Sequence, residues 1–226
     1  MSQATSIEWG KSWNPVKGLC PHSSICEYCY MAGFHKRFKM NPELRLDEKA
    51  LARIPKADRI FVCSNLDLLA DAIPDTWIQQ VIAAIYKREN FRNMYDIRHY
   101  NTSKYMFLTK NPRRYADFEF PSYVWLGTSW DGLDFTKDNI EKMRIHAPLN
   151  NKWFISLEPL LADPQKAGVE ILGFSWIIIG ADSRKGQPKP PKEWADYLIQ
   201  QAREYNIPVF VKENYGYPER IKEFPE

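Results

Sequence analysis

Six short runs of β-branched, aromatic and aliphatic residues recur along the chain, at 59–64 (RIFVCS), 105–109 (YMFLT), 124–129 (VWLGTS), 153–157 (WFISL), 176–180 (WIIIG) and 208–212 (PVFVK). The runs are continuous rather than alternating, as strands are when both faces of a parallel sheet are covered. A seventh strand, at 13–17, is weakly signalled. Helical patterns fall between the runs. Asp75, after Pro74, is a candidate N-cap for a helix starting at Thr76, with Ile78, Val81, Ile82 and Ile85 on one buried face. Thr136 can cap a helix carrying Ile140 and Met143. A last helix near 193–205 places Trp194, Tyr197, Leu198, Ala202 and Tyr205 on one face, and shorter helices are expected at 47–53 and 112–117. Strands alternating with helices imply βα units and right-handed crossovers. Six or seven units are too few for an eight-unit barrel. The expected fold is therefore a partial (β/α) barrel of six or seven parallel strands, with an open doubly wound sheet as the alternative.

At 226 residues, with 44% hydrophobic and 26% charged residues, the chain has the length and balance of one globular domain. No apolar run is long enough for a membrane span, and residues 1–9 lack the apolar core of a signal peptide. A cytoplasmic protein with no membrane partner is expected. The net charge of +3 permits an anionic partner without demanding one. The segment 183–192 (SRKGQPKPPK) follows a strand and reads as a long βα loop, not a domain linker.

In parallel α/β folds, ligands sit at the carboxyl ends of the strands. The strand ends here supply Ser64, Asn65 and Asp67, then Lys110, then Ser129 and Asp131, then Glu158, then Ala181 and Asp182, and finally Lys212 and Asn214. Each alone is what any solvent-facing strand end offers. As a set they read as the rim of a pocket.

Three of the four cysteines, Cys20, Cys26 and Cys29, lie within ten residues, in what is expected to be an N-terminal segment (1–40) of the single domain. A secreted disulfide scaffold would spread more cysteines along a shorter chain. Two thiolates separated by two residues can converge on one metal or cluster, and the third completes a three-point clamp. Three ligands leave a position open, which suits chemistry, whereas structural zinc sites are normally closed by four. A Cys3His zinc site using His22 or His35 is the counter-reading. Cys63 stands apart and reads as core packing. His99 and His146 read as surface residues.

The sequence resembles the radical S-adenosylmethionine (radical SAM) proteins, through its three-cysteine loop followed by alternating β and α segments. More narrowly, it resembles the phage-associated gp-thirty-seven/gp-sixty-eight family. The matching pieces are Ile7-Glu8-Trp9, Trp13-Asn14-Pro15-Val16, Cys29-Tyr30, Ile60-Phe61-Val62, Leu108-Thr109-Lys110 with Pro112, Trp125-Leu126-Gly127, Ser156-Leu157-Glu158-Pro159-Leu160-Leu161 and Trp176-Ile177-Ile178-Ile179-Gly180. They run in order over almost the whole chain. Five residues separate Cys20 from Cys26, where the commonest radical SAM loop has three. Gly180-Ala181-Asp182 stands where the family tends to have Gly-Gly-Glu.

The resemblance implies a 4Fe-4S cluster on Cys20, Cys26 and Cys29, S-adenosylmethionine on the open iron, and a one-electron reductant of flavodoxin or ferredoxin type. It implies that Tyr28 packs beside the cluster, and that Ser64 and Asn65 meet the methionine amino end. Ser129 and Asp131 would hold the ribose and carboxylate, Glu158 would add a strand-end contact, and the backbone of Gly180 and Ala181 would meet the adenine edge. Lys110, Asp182 and Lys212 would balance charge or contact substrate. A degenerate radical SAM-like partner subunit and a zinc-binding interaction protein are the other classes to weigh. For the substrate, Phe34, Lys36, Arg37, Phe38 and Lys39, with Arg113, Arg114, Arg184, Lys185 and Lys189, offer phosphate contacts and stacking surfaces. They make a nucleic acid or nucleotide the first expectation and a solvated basic surface its rival.

Overall fold

The computed structural model describes residues 6–8, 10–95 and 103–225. Trp9 and His99 lie outside the described residues. In chain order the strands are β1 (Ser6–Ile7), β2 (Gly10–Trp13), β3 (Val16–Lys17), β4 (Arg45–Leu46), β5 (Arg59–Val62), β6 (Lys104–Thr109), β7 (Val124–Ser129), β8 (Lys152–Leu157), β9 (Trp176–Ile179) and β10 (Val209–Val211). The helices are α1 (Tyr30–Phe38), α2 (Glu48–Leu51), α3 (Asp75–Tyr95), α4 (Asn139–His146) and α5 (Lys192–Glu204).

The main sheet runs β1-β2-β5-β6-β7-β8-β9-β10. Every pairing from β2 to β10 is parallel, and β1 adds one antiparallel edge. Those seven parallel strands follow one another in sequence order, with no reversal. A doubly wound sheet must reverse its strand order at a switch point. The sheet instead curls into a half-barrel, so the partial (β/α) barrel is the fold. β3 and β4 form a separate two-stranded pair beside it.

Alternation along the strands sorts side chains into two cores. Ile60, Val62, Phe107, Leu126, Ile155, Leu157, Ile177 and Val209 pack with Ile78, Val81 and Ile85 of α3 and Leu198 of α5, which places them on the convex face under the helices. Met106, Trp125, Phe154, Trp176, Ile178 and Phe210 form a second buried cluster, with Phe61, Leu108 and Phe224 against it. Among the described residues no helix residue enters this second cluster, which lies on the concave side. Gly127 makes room for it: a Cβ there would stand 2.3 Å from the Phe154 ring. The chain's C-terminal segment closes the base. Phe224 packs on Trp176 and Phe210, the Arg59 guanidinium lies over Phe224, and the Trp176 indole donates to the Glu223 carbonyl at 2.9 Å.

Several expectations need correction. The first barrel strand is Gly10–Trp13 rather than 13–17, and Val16–Lys17 turns away to pair with β4. Thr136 does not cap α4, whose N-cap is Asp138; its hydroxyl donates to Asp131 instead. Asp75 lies within α3 and accepts from Arg114. Tyr205 is exposed beyond the end of α5. Among the described residues no helix is long and apolar enough to cross a membrane.

Candidate functional site

Two to four residues beyond the inward-facing apolar layer, the strands change character. Lys110 follows Leu108, Ser129 follows Gly127, Glu158 follows Ser156, Gly180 follows Ile178 and Lys212 follows Phe210. The period-2 alternation therefore aims these strand-end positions at the interior above the apolar cluster. The cysteine loop reaches the same end of the barrel through three sets of contacts.

The first set centres on Asp67, just after β5. Its backbone N–H donates to Cys20 Sγ at 3.4 Å. Its buried carboxylate accepts from Lys110 N at 2.7 Å, Thr109 Oγ1 at 3.0 Å and Leu69 N at 3.0 Å, and His22 Nδ1 lies 3.2 Å away. One aspartate thus joins the start of the cysteine loop to the end of β6.

The second set surrounds Asp131. Its carboxylate accepts from Tyr28 Oη, Thr136 Oγ1, Lys110 Nζ at 3.0 Å and Leu133 N at 2.9 Å. Lys110 Nζ also donates to Tyr28 Oη at 2.6 Å. Burial opposes the charge on Asp131, but the Lys110 ammonium and the hydrogen bonds from Thr136 and Tyr28 outweigh it and hold its carboxyl below the usual range. Burial, with the Asp131 charge and hydrogen bond, pushes the Tyr28 phenol well up. Tyr28 is thus a neutral donor pinned between a cation and an anion.

The third set joins the far side of the barrel. Lys212 Nζ donates to Glu158 Oε1 at 2.6 Å, and Asn214 Nδ2 donates to Ala181 O at 2.7 Å and Ser183 Oγ at 2.9 Å. Asn214 Oδ1 accepts from Ala181 N at 3.2 Å, so both backbone groups of Ala181 are engaged. Gly180 leaves the space that the Glu158 side chain occupies, since a Cβ there would stand 2.8 Å from Glu158 Cγ and Cδ. Asp182 chelates Arg184, whose guanidinium reaches across to the Glu27 carbonyl at 2.9 Å, between Cys26 and Cys29.

These contacts tie the cysteine loop to the mouth of the half-barrel at three points, Cys20 through Asp67, Tyr28 through Asp131 and the Glu27 carbonyl through Arg184. Burial pushes the Cys20 thiol up to about 12, against the Asp67 N–H and with the Asp67 and Cys29 charges adding to the rise. Burial also raises Cys26; the Lys110 ammonium opposes this, and Cys29 and Asp131 reinforce it. Tyr30 is raised by burial and by Cys29, Glu158 and Cys20, and its hydroxyl donates to Ser64 O at 3.1 Å. Among the described residues no three His, Cys, Asp or Glu side chains are grouped as around a single metal ion.

The remaining sequence candidates take these places. Ser64 Oγ lies 3.3 Å from Asn14 Oδ1, and Asn65 Nδ2 contacts Val16 O at 3.4 Å while its Oδ1 is buried without a partner. Ser129 is buried on β7 beside Ser156 of β8. Cys63 is buried in the convex core with φ of 56° and its thiol pushed up to about 12 by burial. His22 and His35 are buried near the loop and on α1, and His146 is half-buried. Arg113 and Arg114 are not available as phosphate grips: Arg113 pairs with Asp71, and buried Arg114 donates to Ala70 O and Asp75. Nothing in the sequence marks Tyr30 or Thr136 as a site residue. Asn214 carried one signal, its place two residues after Lys212 at a strand end.

No curated protein and no solved structure matches the chain. A family model does, over residues 4–223, and the chain accordingly belongs to the family described as protein of unknown function (DUF5131).

Proposed function

We propose that this chain is a radical SAM enzyme, with Cys20, Cys26 and Cys29 ligating a 4Fe-4S cluster whose fourth iron takes S-adenosylmethionine. The observation that carries this reading is the anchoring of the cysteine loop at the carboxyl ends of a half-barrel, where Cys20 Sγ accepts the Asp67 N–H, Tyr28 donates to Asp131 and Arg184 donates to the Glu27 carbonyl. The donor set fits the group: three soft sulfur ligands, a neighbouring ammonium, and strand ends able to hold a polar cofactor. When bound, the cluster and S-adenosylmethionine supply one-electron reductive cleavage to methionine and a 5′-deoxyadenosyl radical that takes hydrogen from a substrate; an external reductant of flavodoxin or ferredoxin type provides the electron.

The chain's own residues then have distinct tasks. With nothing bound, burial keeps the Cys20 and Cys26 thiols protonated at neutral pH, so loading releases protons. Lys110 stands where it offsets thiolate charge at Cys26. Asp131 is committed to four donors, so its part is to hold Lys110 and Tyr28 rather than to bind a ribose. Glu158, paired with Lys212, is the carboxylate best placed to meet a polar group of the cofactor or substrate. An adenine edge at Ala181 would have to displace Asn214 from both backbone groups.

Anaerobically purified, cluster-loaded protein treated with dithionite and S-adenosylmethionine is expected to release 5′-deoxyadenosine. Loaded protein that binds S-adenosylmethionine but releases none would contradict the enzyme reading and point to a partner subunit. Colourless protein carrying zinc would contradict the ligand assignment.

A further inference from the structure

Helix α1 leaves Cys29 and presents Tyr30, Phe34 and Phe38, four residues apart, on one exposed face. Successive rungs are about 6 Å apart along the axis. Phe34 stands edge-to-face to both neighbours at 5.8 Å, so the rings keep faces open to solvent instead of burying them in each other. Buried aromatic area is a main source of folding energy, and three exposed rings in a row on one helix are unusual unless something covers them.

The charged side chains of α1 itself and its C-cap are all basic. Lys36, Arg37 and Lys39 are exposed and, among the described residues, in no ion pair. From 28 to 42 the sequence has no Asp or Glu. The Arg37 guanidinium lies 5.2 Å from the Phe38 ring centroid, adding a planar cation to the ladder. Arg184, chelated by Asp182, donates to the Glu27 carbonyl of the cysteine loop at 2.9 Å.

Flat rings with Arg37 on their side of α1, Lys36 at the far flank of the exposed surface and Lys39 at the C-cap match one polymer chemistry best, in which planar bases alternate with phosphates. We propose that this face of α1 binds single-stranded nucleic acid, with Phe34 and Phe38 stacking bases and Lys36, Arg37 and Lys39 meeting phosphates. Tyr30 ends the ladder at the mouth of the half-barrel, where its hydroxyl donates to Ser64 O just beyond β5 at 3.1 Å. The strand would therefore be led to the candidate site. The binding face stands on α1 alone, whereas its role as substrate platform rests on the function proposed above.

The test is fluorescence anisotropy of a labelled oligothymidine with the full-length protein at several salt concentrations, with iron and sulfide measured on the same samples. Neutralising three phosphates on a single strand predicts a slope of log K against log salt of about −2. Phe34→Ala with Phe38→Ala should weaken binding about tenfold per ring while leaving the slope unchanged. Lys36→Gln, Arg37→Gln and Lys39→Gln together should flatten the slope. Duplex DNA, whose base faces are covered, should compete poorly. Absence of binding at low salt, an aromatic variant that binds like the parent, or equal competition by duplex would each overturn the proposal. So would preference for anionic vesicles or an acidic protein over the oligonucleotide. Binding by protein that takes up no cluster would keep the platform and overturn the enzyme reading; a loaded cluster without binding would do the reverse.

Discussion

The two ends of the half-barrel are built from the same strands to opposite specifications. At the base, inward positions carry Met106, Trp125, Phe154, Trp176 and Phe210, sealed by Phe224. Two to four residues further along, the inward positions carry Lys110, Ser129, Glu158, Gly180 and Lys212. The base spends its positions on close packing, where each buried ring contributes apolar area and dispersion contacts. The mouth brings charge together under partial burial, where an ion pair repays little of its desolvation and is weak evidence for stability. Stability is therefore expected to reside at the base and chemistry at the mouth, and each end should be breakable without the other.

The largest effect is expected at the base. Trp176→Ala removes a fully buried side chain that meets Trp125, Phe154, Phe210 and Phe224, and should cost about 3–5 kcal/mol in chemical denaturation. A loss below about 1 kcal/mol would mean the concave cluster is not the core described here.

The same small substitution at the two ends gives a sharper contrast. Gly127→Ala drives a methyl into the buried Phe154 ring and should cost about 1–3 kcal/mol. Gly180→Ala meets only the Glu158 side chain, which is half-buried and can swing aside. Its expected cost is below about 1 kcal/mol, with the effect falling on the Glu158–Lys212 pair and on the thermal shift produced by S-adenosylmethionine. Equal stability losses at both positions would erase the distinction.

The smallest effect concerns the strap over the cysteine loop. Hydrogen bonds from Arg184 hold the Asp182 carboxyl below its ordinary value of 3.8. Its contribution is complete above that value and lost as pH falls through the lowered one. Amide exchange at residues 26–29 should therefore quicken only below about pH 4, and Asp182→Asn should quicken it at neutral pH as well. Unchanged exchange in the variant would show that the loop does not depend on Arg184.

What could be read in the sequence followed from how strongly each residue is tied to its neighbours along the chain. The runs at 124–129 and 176–180 are so apolar that only a buried strand suits them, and β7 and β9 lie there. Gly10–Trp13 carries Lys11 and Ser12 and gave no such signal, because its place at the end of the parallel series is set by pairing with β5. The run 59–64 ends early since Cys63 takes a left-handed conformation that breaks the strand. Strand-end residues were legible as a group, as topology puts them at one mouth. Their partners were not: Tyr28 to Asp131 and Lys212 to Glu158 span long stretches of chain, and no local rule links them. Arg113 and Arg114 look like free cations in sequence, yet Asp71, Asp75 and buried carbonyls claim them.

The central claim is that the three cysteines hold a cluster at the mouth. The direct measurement is iron, sulfide and zinc content, with the visible absorbance spectrum, of anaerobically purified parent protein and Cys29→Ala. The account predicts a brown parent with about four irons and matching sulfide per chain, and a variant of unchanged fold that has lost both. A variant that keeps its iron and colour, or a colourless parent with about one zinc, would contradict it.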